Sequence, residues 1–328
     1  MSSTNKKSCC SISRSVLTHE TVNLSNSTKL ITSEQDYEED MVRIEGGEFL
    51  MGTEDKEGFP ADGEGPIRKV IVKTFLIDRF AVTNQLFSEF VSATNYKTDA
   101  EKYGWSFVFY QLLSKETAKK VNQVPVGTPW WRVVEGAYWL HPEGPDSFID
   151  DRMNHPAVHI SWNDAMAFCK WAGKRLPTET EWEYAARGGL IQKKYPWGND
   201  LNPEGKHYCN IWQGKFPIEN SLADEYLATA PVDAFYPNGY GLYNMSGNVW
   251  EWCSDWFSPT FHINAPTDNP QGPPNGETKS MRGGSYLCHV SYCNRYRLAA
   301  RTSNTPDSSS GNLGFRCVKD IIDCKESE

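Results

Sequence analysis

No stretch of this 328-residue chain holds the roughly 18 consecutive apolar residues of a helical membrane span, so a membrane-embedded role is not expected. The opening MSSTNKKSCCSISRSVL has basic residues but no continuous apolar core of about seven or more, which argues against a secretory leader. Basic charge is in deficit: 33 Lys and Arg face 42 Asp and Glu, for a formal charge of −9. Nucleic acid is therefore not an expected partner, whereas a positively charged partner suits this balance. There is no EF-hand loop. No second C-x2-4-C pair exists to complete a four-ligand zinc site, and an iron–sulfur ligand set is also missing. After residue 190 helical periodicity almost vanishes.

What the chain does have is aromatic and turn-forming residues: 12 Trp, 15 Tyr and 15 Phe beside 25 Gly and 19 Pro. With 39% hydrophobic residues it can bury a real core. The composition describes a compact protein rich in ordered loops. Nine cysteines are many for a reducing compartment, and the odd count leaves at least one unpaired. Residues 1–40 are Ser, Thr, Asn, Lys and Glu with few aromatics and predict a disordered tail, in which Cys9 and Cys10 have no assigned role. Residues 41–320 show neither an internal repeat nor a dividing linker and read as one domain, with 321–328 a short tail.

Within that domain MVRIEGGEFLMG (41–52) predicts a strand, a turn and a strand, and IRKVIVKTFLIDRFAVT (67–83) continues in β-branched residues. TNQLFSEFV (83–91) predicts a helix capped by Thr83 or Asn84, with Leu86, Phe87 and Phe90 on one face. In SWNDAMAFCKWAGKRLP (161–177), Ala165, Phe168, Cys169 and Ala172 fall at helical spacing, and Gly173 and Pro177 stop the helix. In PTETEWEYAARGG (177–189), Thr178 and Glu181 form a capping box and Gly188–Gly189 ends the helix.

The chemistry-bearing stretch is GGSYLCHVSYCNRYR (283–297), where Cys288 and Cys293 sit five apart. Spacing alone favours a disulfide closing a small loop. Two soft sulfurs also suit Cu(I), which accepts low coordination numbers, and a redox pair stays open. Two loops offer oxygens to a hard cation. NIWQGKFPIENSLADEY (210–226) has Asn210 and Asp224, and NMSGNVWE (244–251) has Asn244 and Glu251 bracketing small residues. Calcium takes several carbonyl oxygens together with carboxylates, so both loops are candidates, with solvated polar loops as the alternative.

A series of segments then carries a resemblance. HPAVHISWNDAMAFCKWAGKRLPTETEWEYAARGG, YPWGN, CNIWQGKFP, TAPVDAFYPNGYGLYNMSGNVWEWCSDWF and MRGGSYLCHVSYCNRYRLAARTSNTPDSSSGNLGFRC follow one another between residues 155 and 317. Together they resemble the formylglycine-generating enzymes, also called sulfatase-modifying factors, over about residues 42–320. The resemblance implies an α+β domain of low regular secondary structure, the formylglycine-generating-enzyme variant of the C-type-lectin fold. It implies an oxidase that uses O2 and Cu(I) to convert the cysteine of a C-x-P-x-R motif in unfolded sulfatases to Cα-formylglycine. On that pattern Cys288 and Cys293 hold Cu(I), and the substrate thiol adds a third sulfur. Ser285 and Tyr292 orient oxygen, water or the substrate, Trp250 walls out bulk water, and His289 supports the pair without ligating.

The same resemblance implies two structural calcium sites: Asn210, Ile211, Asp224 and Tyr226 at one, and Asn244, Gly247, Val249 and Glu251 at the other, with Ile211, Tyr226, Gly247 and Val249 acting through carbonyls. Cys169 and Cys317 occupy the positions of one family disulfide, and Ala186 and Leu298 replace the other. That replacement fits a bacterial-type enzyme in a reducing cytoplasm. A monomer is expected. Trp130–Trp131 and EKYGWSFVF (101–109) are candidates for a peptide groove, with packing as the alternative. The competing reading is a noncatalytic peptide- or sugar-binding module on the same fold. A sister oxidase forming carbon–sulfur bonds with non-haem iron is disfavoured, because the seven His include no His-x3-His-x-Glu run.

Overall fold

The computed structural model describes residues 12–17 and 38–321. In chain order the first elements are β1 (Met41–Ile44), β2 (Gly47–Met51), β3 (Arg68–Val72) and β4 (Phe75–Asp78), then α1 (Asn84–Thr94) and α2 (Asp99–Tyr103). Next come β5 (Trp105–Phe109), α3 (Lys115–Lys120), β6 (Trp131–Glu135), α4 (Trp162–Trp171) and α5 (Glu179–Arg187). The rest is strand and loop: β7 (Gly214–Lys215), β8 (Glu219–Asn220), β9 (Trp250–Trp256), β10 (Lys279–Arg282), β11 (Thr302–Asn304), β12 (Leu313–Gly314) and β13 (Val318–Asp320). This is the α+β domain of low regular content that the sequence implied.

The helices begin and end where local chemistry dictates. Thr83 caps α1 by accepting from the Leu86 amide, while the Asn84 side chain turns away to the Arg152 carbonyl. Thr178 and Glu181 form the expected reciprocal box at the start of α5, and Gly188 closes it in the left-handed conformation that glycine adopts without strain. Phe87, Phe90, Ala165, Phe168 and Cys169 face one buried cluster, so the apolar stripes of α1 and α4 meet each other.

Strand partners were not readable locally. β1 and β2 flank a turn but do not pair with each other: β2 pairs with β3, and β1 with β4. The other edge of β4 takes β13, so the two ends of the domain close one three-stranded sheet. The central sheet runs β11-β10-β9-β12, with β9 parallel to β12 and antiparallel to β10. β9 is the WEWCSDW segment, and α5 packs on it and on β10.

Long loops replace the missing regular structure, and their polar groups are satisfied by side chains. Asn238 alone bonds Ala185 O, Ala186 O, Tyr240 N and Leu242 N. Three arginines of the cysteine-bearing segment are tied down by buried acids: Arg295 to Asp62, Arg297 to Glu64 and Arg301 to Glu179. Glu183 joins Arg187 and Arg282 in the same layer. Ala186 and Leu298 are fully buried in one apolar cluster.

The stretch expected to be a loose tail departs from expectation at Ile12–Leu17. Ile12 and Arg14 are buried and Arg14–Val16 forms a 3-10 turn, because residues 103–105 and 304–309 supply partners that composition does not reveal. Cys9, Cys10 and residues 322–328 lie outside the described residues.

Candidate active site

β10 delivers the chain to Gly283 and Gly284, both at positive φ. A Cβ on Gly284 would meet Arg295 O at 2.9 Å, so the chain crosses itself there only with glycine. Two tight turns follow. Cys288 N donates to Ser285 O at 2.8 Å, and Cys293 N donates to His289 O at 3.0 Å. The second turn brings Cys293 back into the cluster that holds Cys288, where both are fully buried with Trp250, Met281 and Tyr296. No disulfide joins them. The loop is pinned from outside by Trp212 N on Cys288 O, Tyr286 N on Asn248 O and Gly247 N on Gly283 O. The last two tie the cysteine loop to the NMSGNVWE loop.

Ser285 touches Cys288 directly. Its backbone N–H donates to Cys288 Sγ at 3.3 Å, and its hydroxyl lies 3.9 Å from the same sulfur. The hydroxyl is held by Asn312 Nδ2 at 2.9 Å, and Asn312 Oδ1 accepts from Ser310 Oγ at 2.7 Å. Asn312 was not singled out from sequence, although it lies in the GNLGFRC run. Its main-chain carbonyl accepts from the Trp250 N–H at 2.9 Å.

Trp250 is buried, and its indole N–H has no hydrogen-bond partner among the described residues. Tyr292 stands at the rim. Its ring stacks on Phe216 at 3.9 Å and meets Trp130 edge-on at 5.8 Å, and its hydroxyl donates to Leu287 O. Trp130 thus packs edge-on against both Phe216 and Tyr292. His289 is half-buried and spends Nδ1 on Ser291, accepting its amide N–H at 3.2 Å. Burial pushes its pKa below the ordinary value, with the nearby Cys293 opposing.

In the first candidate loop for a hard cation, Asn210 and Asp224 are both buried. Asn210 Oδ1 is a buried acceptor with no partner among the described residues. Asp224 is buried, and burial raises its pKa while the Tyr226 and Ile211 amides oppose. No described Lys or Arg pairs with it within 4 Å. At the second loop Asn244 Oδ1 is likewise an orphaned acceptor. Glu251, however, is already engaged by Trp182 Nε1 and by both prongs of Arg316, each at 2.7 Å. Among the described residues no three His, Cys, Asp or Glu side chains converge, so amide and carbonyl oxygens would supply most ligands at either cation site, beside a single carboxylate. Cys169 Sγ and Cys317 Sγ lie in contact at 3.5 Å.

The family model described as "Sulfatase-modifying factor enzyme 1-like domain" matches residues 26–321. The chain belongs to this family. A Thermomonospora curvata protein described as "Formylglycine-generating enzyme" is 59% identical over 293 residues, covering 88% of this chain and 96% of that one. The Mus musculus protein of the same description is 57% identical over 282 residues, 86% and 75% of the two chains. A Bos taurus protein described as "Inactive C-alpha-formylglycine-generating enzyme 2" is 47% identical over 281 residues, 85% and 87%. Family membership therefore does not decide activity, and the site must. Among solved structures, PvdO from Pseudomonas aeruginosa superposes with a TM-score of 0.63 at 25% identity, covering 86% of this chain and 94% of that one. The fold is the family's variant of the C-type-lectin fold. No helix among the described residues is long and apolar enough to cross a membrane.

Proposed function

We propose that this chain converts the cysteine of a C-x-P-x-R segment in an unfolded sulfatase to Cα-formylglycine, with O2 as oxidant and Cu(I) as cofactor, in a reducing cytoplasm. The observation that carries the reading is the cysteine loop itself. Cys288 and Cys293 are turned into one buried cluster, and Ser285 directs an N–H at the Cys288 sulfur. A noncatalytic module has no need of that arrangement.

The donor set fits Cu(I): two buried sulfurs in apolar surroundings are soft ligands of low coordination number. When bound, Cu(I) supplies the one-electron chemistry that closed-shell thiols and dioxygen lack between them. Cys288 and Cys293 would hold it. The Ser285 N–H donates to the Cys288 sulfur and fixes its position. Asn312 keeps the Ser285 hydroxyl turned toward the sulfur. Trp250, Tyr292, Phe216 and Trp130 exclude water from the pair. Their fixed positions orient an incoming thiol, which turns encounter into proximity.

Calcium fits the first loop well, where Asn210 Oδ1 and Asp224 await a positive partner. It fits the second loop in part, since Asn244 Oδ1 is orphaned but Arg316 already balances Glu251. Both ions would be structural, holding loops that lack regular hydrogen bonding.

The test is mass spectrometry of a C-x-P-x-R peptide incubated in air with copper-loaded protein. The expected product has CH2–SH replaced by CHO. Cys288→Ser and Cys293→Ser should each abolish it and lower bound copper from one equivalent per chain. An unmodified peptide with fully loaded protein refutes the proposal.

A further inference from the structure

Resting on the proposed function, one feature of the N-terminal segment goes beyond it. Residues 10–14 read Cys-Ser-Ile-Ser-Arg, with cysteine and arginine at the spacing of C-x-P-x-R and isoleucine in place of proline. We infer that this segment is an internal substrate mimic, in which Arg14 fills the site that takes the arginine of an external C-x-P-x-R segment and so competes with it.

The arginine of the mimic is fully buried in a built pocket. Arg14 Nη2 donates to Trp105 O and Ser309 Oγ, each at 2.8 Å, and Nε donates to Asp307 O at 3.0 Å. The guanidinium lies 4.1 Å from the Trp105 ring centroid and 4.4 Å from that of Tyr103, within cation–π range. Tyr103 in turn donates to Asp307 Oδ2 at 2.8 Å, which brings a carboxylate to the pocket. This is a recognition site for one planar cation, with carbonyl, hydroxyl and aromatic partners set around it.

The main chain of the segment is gripped as a bound peptide would be. Asn304 Nδ2 donates to Ile12 O at 2.8 Å, and Arg14 N donates to Ser308 Oγ at 2.9 Å. Ile12 belongs to the same buried cluster as Tyr286 and Leu287, the two residues before Cys288. From the pocket a polar path leads to the candidate active site. Ser309 is followed by Ser310, which bonds Asn312, which bonds Ser285, which touches Cys288. Cys10 lies outside the described residues.

The arginine pocket is thus filled by the chain's own Arg14, at an effective concentration on the order of millimolar. An external sulfatase segment must displace it. A purely structural strap would also bury Arg14, and the test separates the two.

A fluorescein-labelled S-x-P-x-R peptide, which has no thiol to oxidise, is titrated into the full-length chain. Arg14→Ala is expected to tighten its Kd by about tenfold and to lower KM for the C-x-P-x-R peptide in step. In the unsubstituted chain, saturating peptide is expected to accelerate amide hydrogen exchange at residues 12–17. This second measurement decides the matter if Arg14→Ala folds poorly. Exchange at 12–17 indifferent to bound peptide, with normal peptide conversion, overturns the inference alone. A peptide that displaces 12–17 yet is never oxidised supports the inference and counts against the proposed function.

Discussion

Ser285 is joined to Cys288 twice, by its amide N–H at 3.3 Å and by its hydroxyl at 3.9 Å, and only the second contact depends on its side chain. The hydroxyl also satisfies the buried Asn312 amide at 2.9 Å. Ser285→Ala keeps the backbone donor but leaves Asn312 Nδ2 without that acceptor, a loss of about 1–3 kcal/mol. Turnover of a C-x-P-x-R peptide should fall at least about tenfold, with bound copper unchanged. Copper lost together with activity would show that the serine builds the metal site instead of orienting the chemistry.

Asp224 makes the calcium proposal measurable. Burial raises its pKa, so in calcium-free protein this carboxyl contributes stability at low pH that is lost as pH rises through its folded value. Calcium binds the ionised form, so its stabilising effect should grow with pH. At a hundredfold excess over Kd the gain is about 2.7 kcal/mol. Thermal melts with calcium and with chelator, at pH 5.5 and pH 8, should show the larger difference at pH 8. Asp224→Asn should remove most of the increment, and an increment unaffected by that change would place the ion elsewhere.

His159 sits behind the arginine pocket, with Nδ1 2.8 Å from Ser106 Oγ and Nε2 2.7 Å from Pro142 O. Burial holds its pKa down at about 3, against an ordinary 6.5. The unfolded chain therefore binds a proton at this residue that the folded chain refuses, and its stabilising contribution is lost as pH falls from about 6.5 toward 3. Asp164 and Asp255, which burial holds up at about 7, act in the opposite sense over part of that range. A difference measurement isolates the histidine. The gap in urea-unfolding free energy between the parent and His159→Gln should narrow by about 1.4 kcal/mol per pH unit on acidification below 6. A gap independent of pH would refute the assignment.

Cys169 and Cys317 meet at 3.5 Å, deep in the cluster where α4 packs against the chain entering β13. Mild oxidation should bridge them selectively, with the cross-link found by non-reducing peptide mapping. Closing so long a loop typically stabilises by about 2–4 kcal/mol. A lower melting temperature after bridging would show that the two sulfurs pack better as thiols.

Legibility from sequence followed the range of each interaction. The caps of α1 and α5 and the stripe of α4 were readable because they depend on neighbours three or four residues away. The pairing of β1 with β4 and β13 was not, because it joins residues far apart in the chain. The cysteine pair, Ser285 and Trp250 stood out through an unusual local run. Asn312 did not, although it bonds Ser285, because nothing within a short window marks a single asparagine as a partner. The N-terminal segment was misjudged for the same reason. Its composition is that of a loose tail, and its pocket is assembled from residues 103–105 and 304–309.

The order of residues alone determined the caps of α1 and α5, the apolar stripe of α4, the family and the two cysteines five apart. Only the folded chain decided that those sulfurs lie buried in one cluster under Ser285, and that Arg14 fills a pocket leading toward them. Such arrangements depend on contacts between distant segments. Their free energy exists only once the backbone has closed, and no local pattern records it.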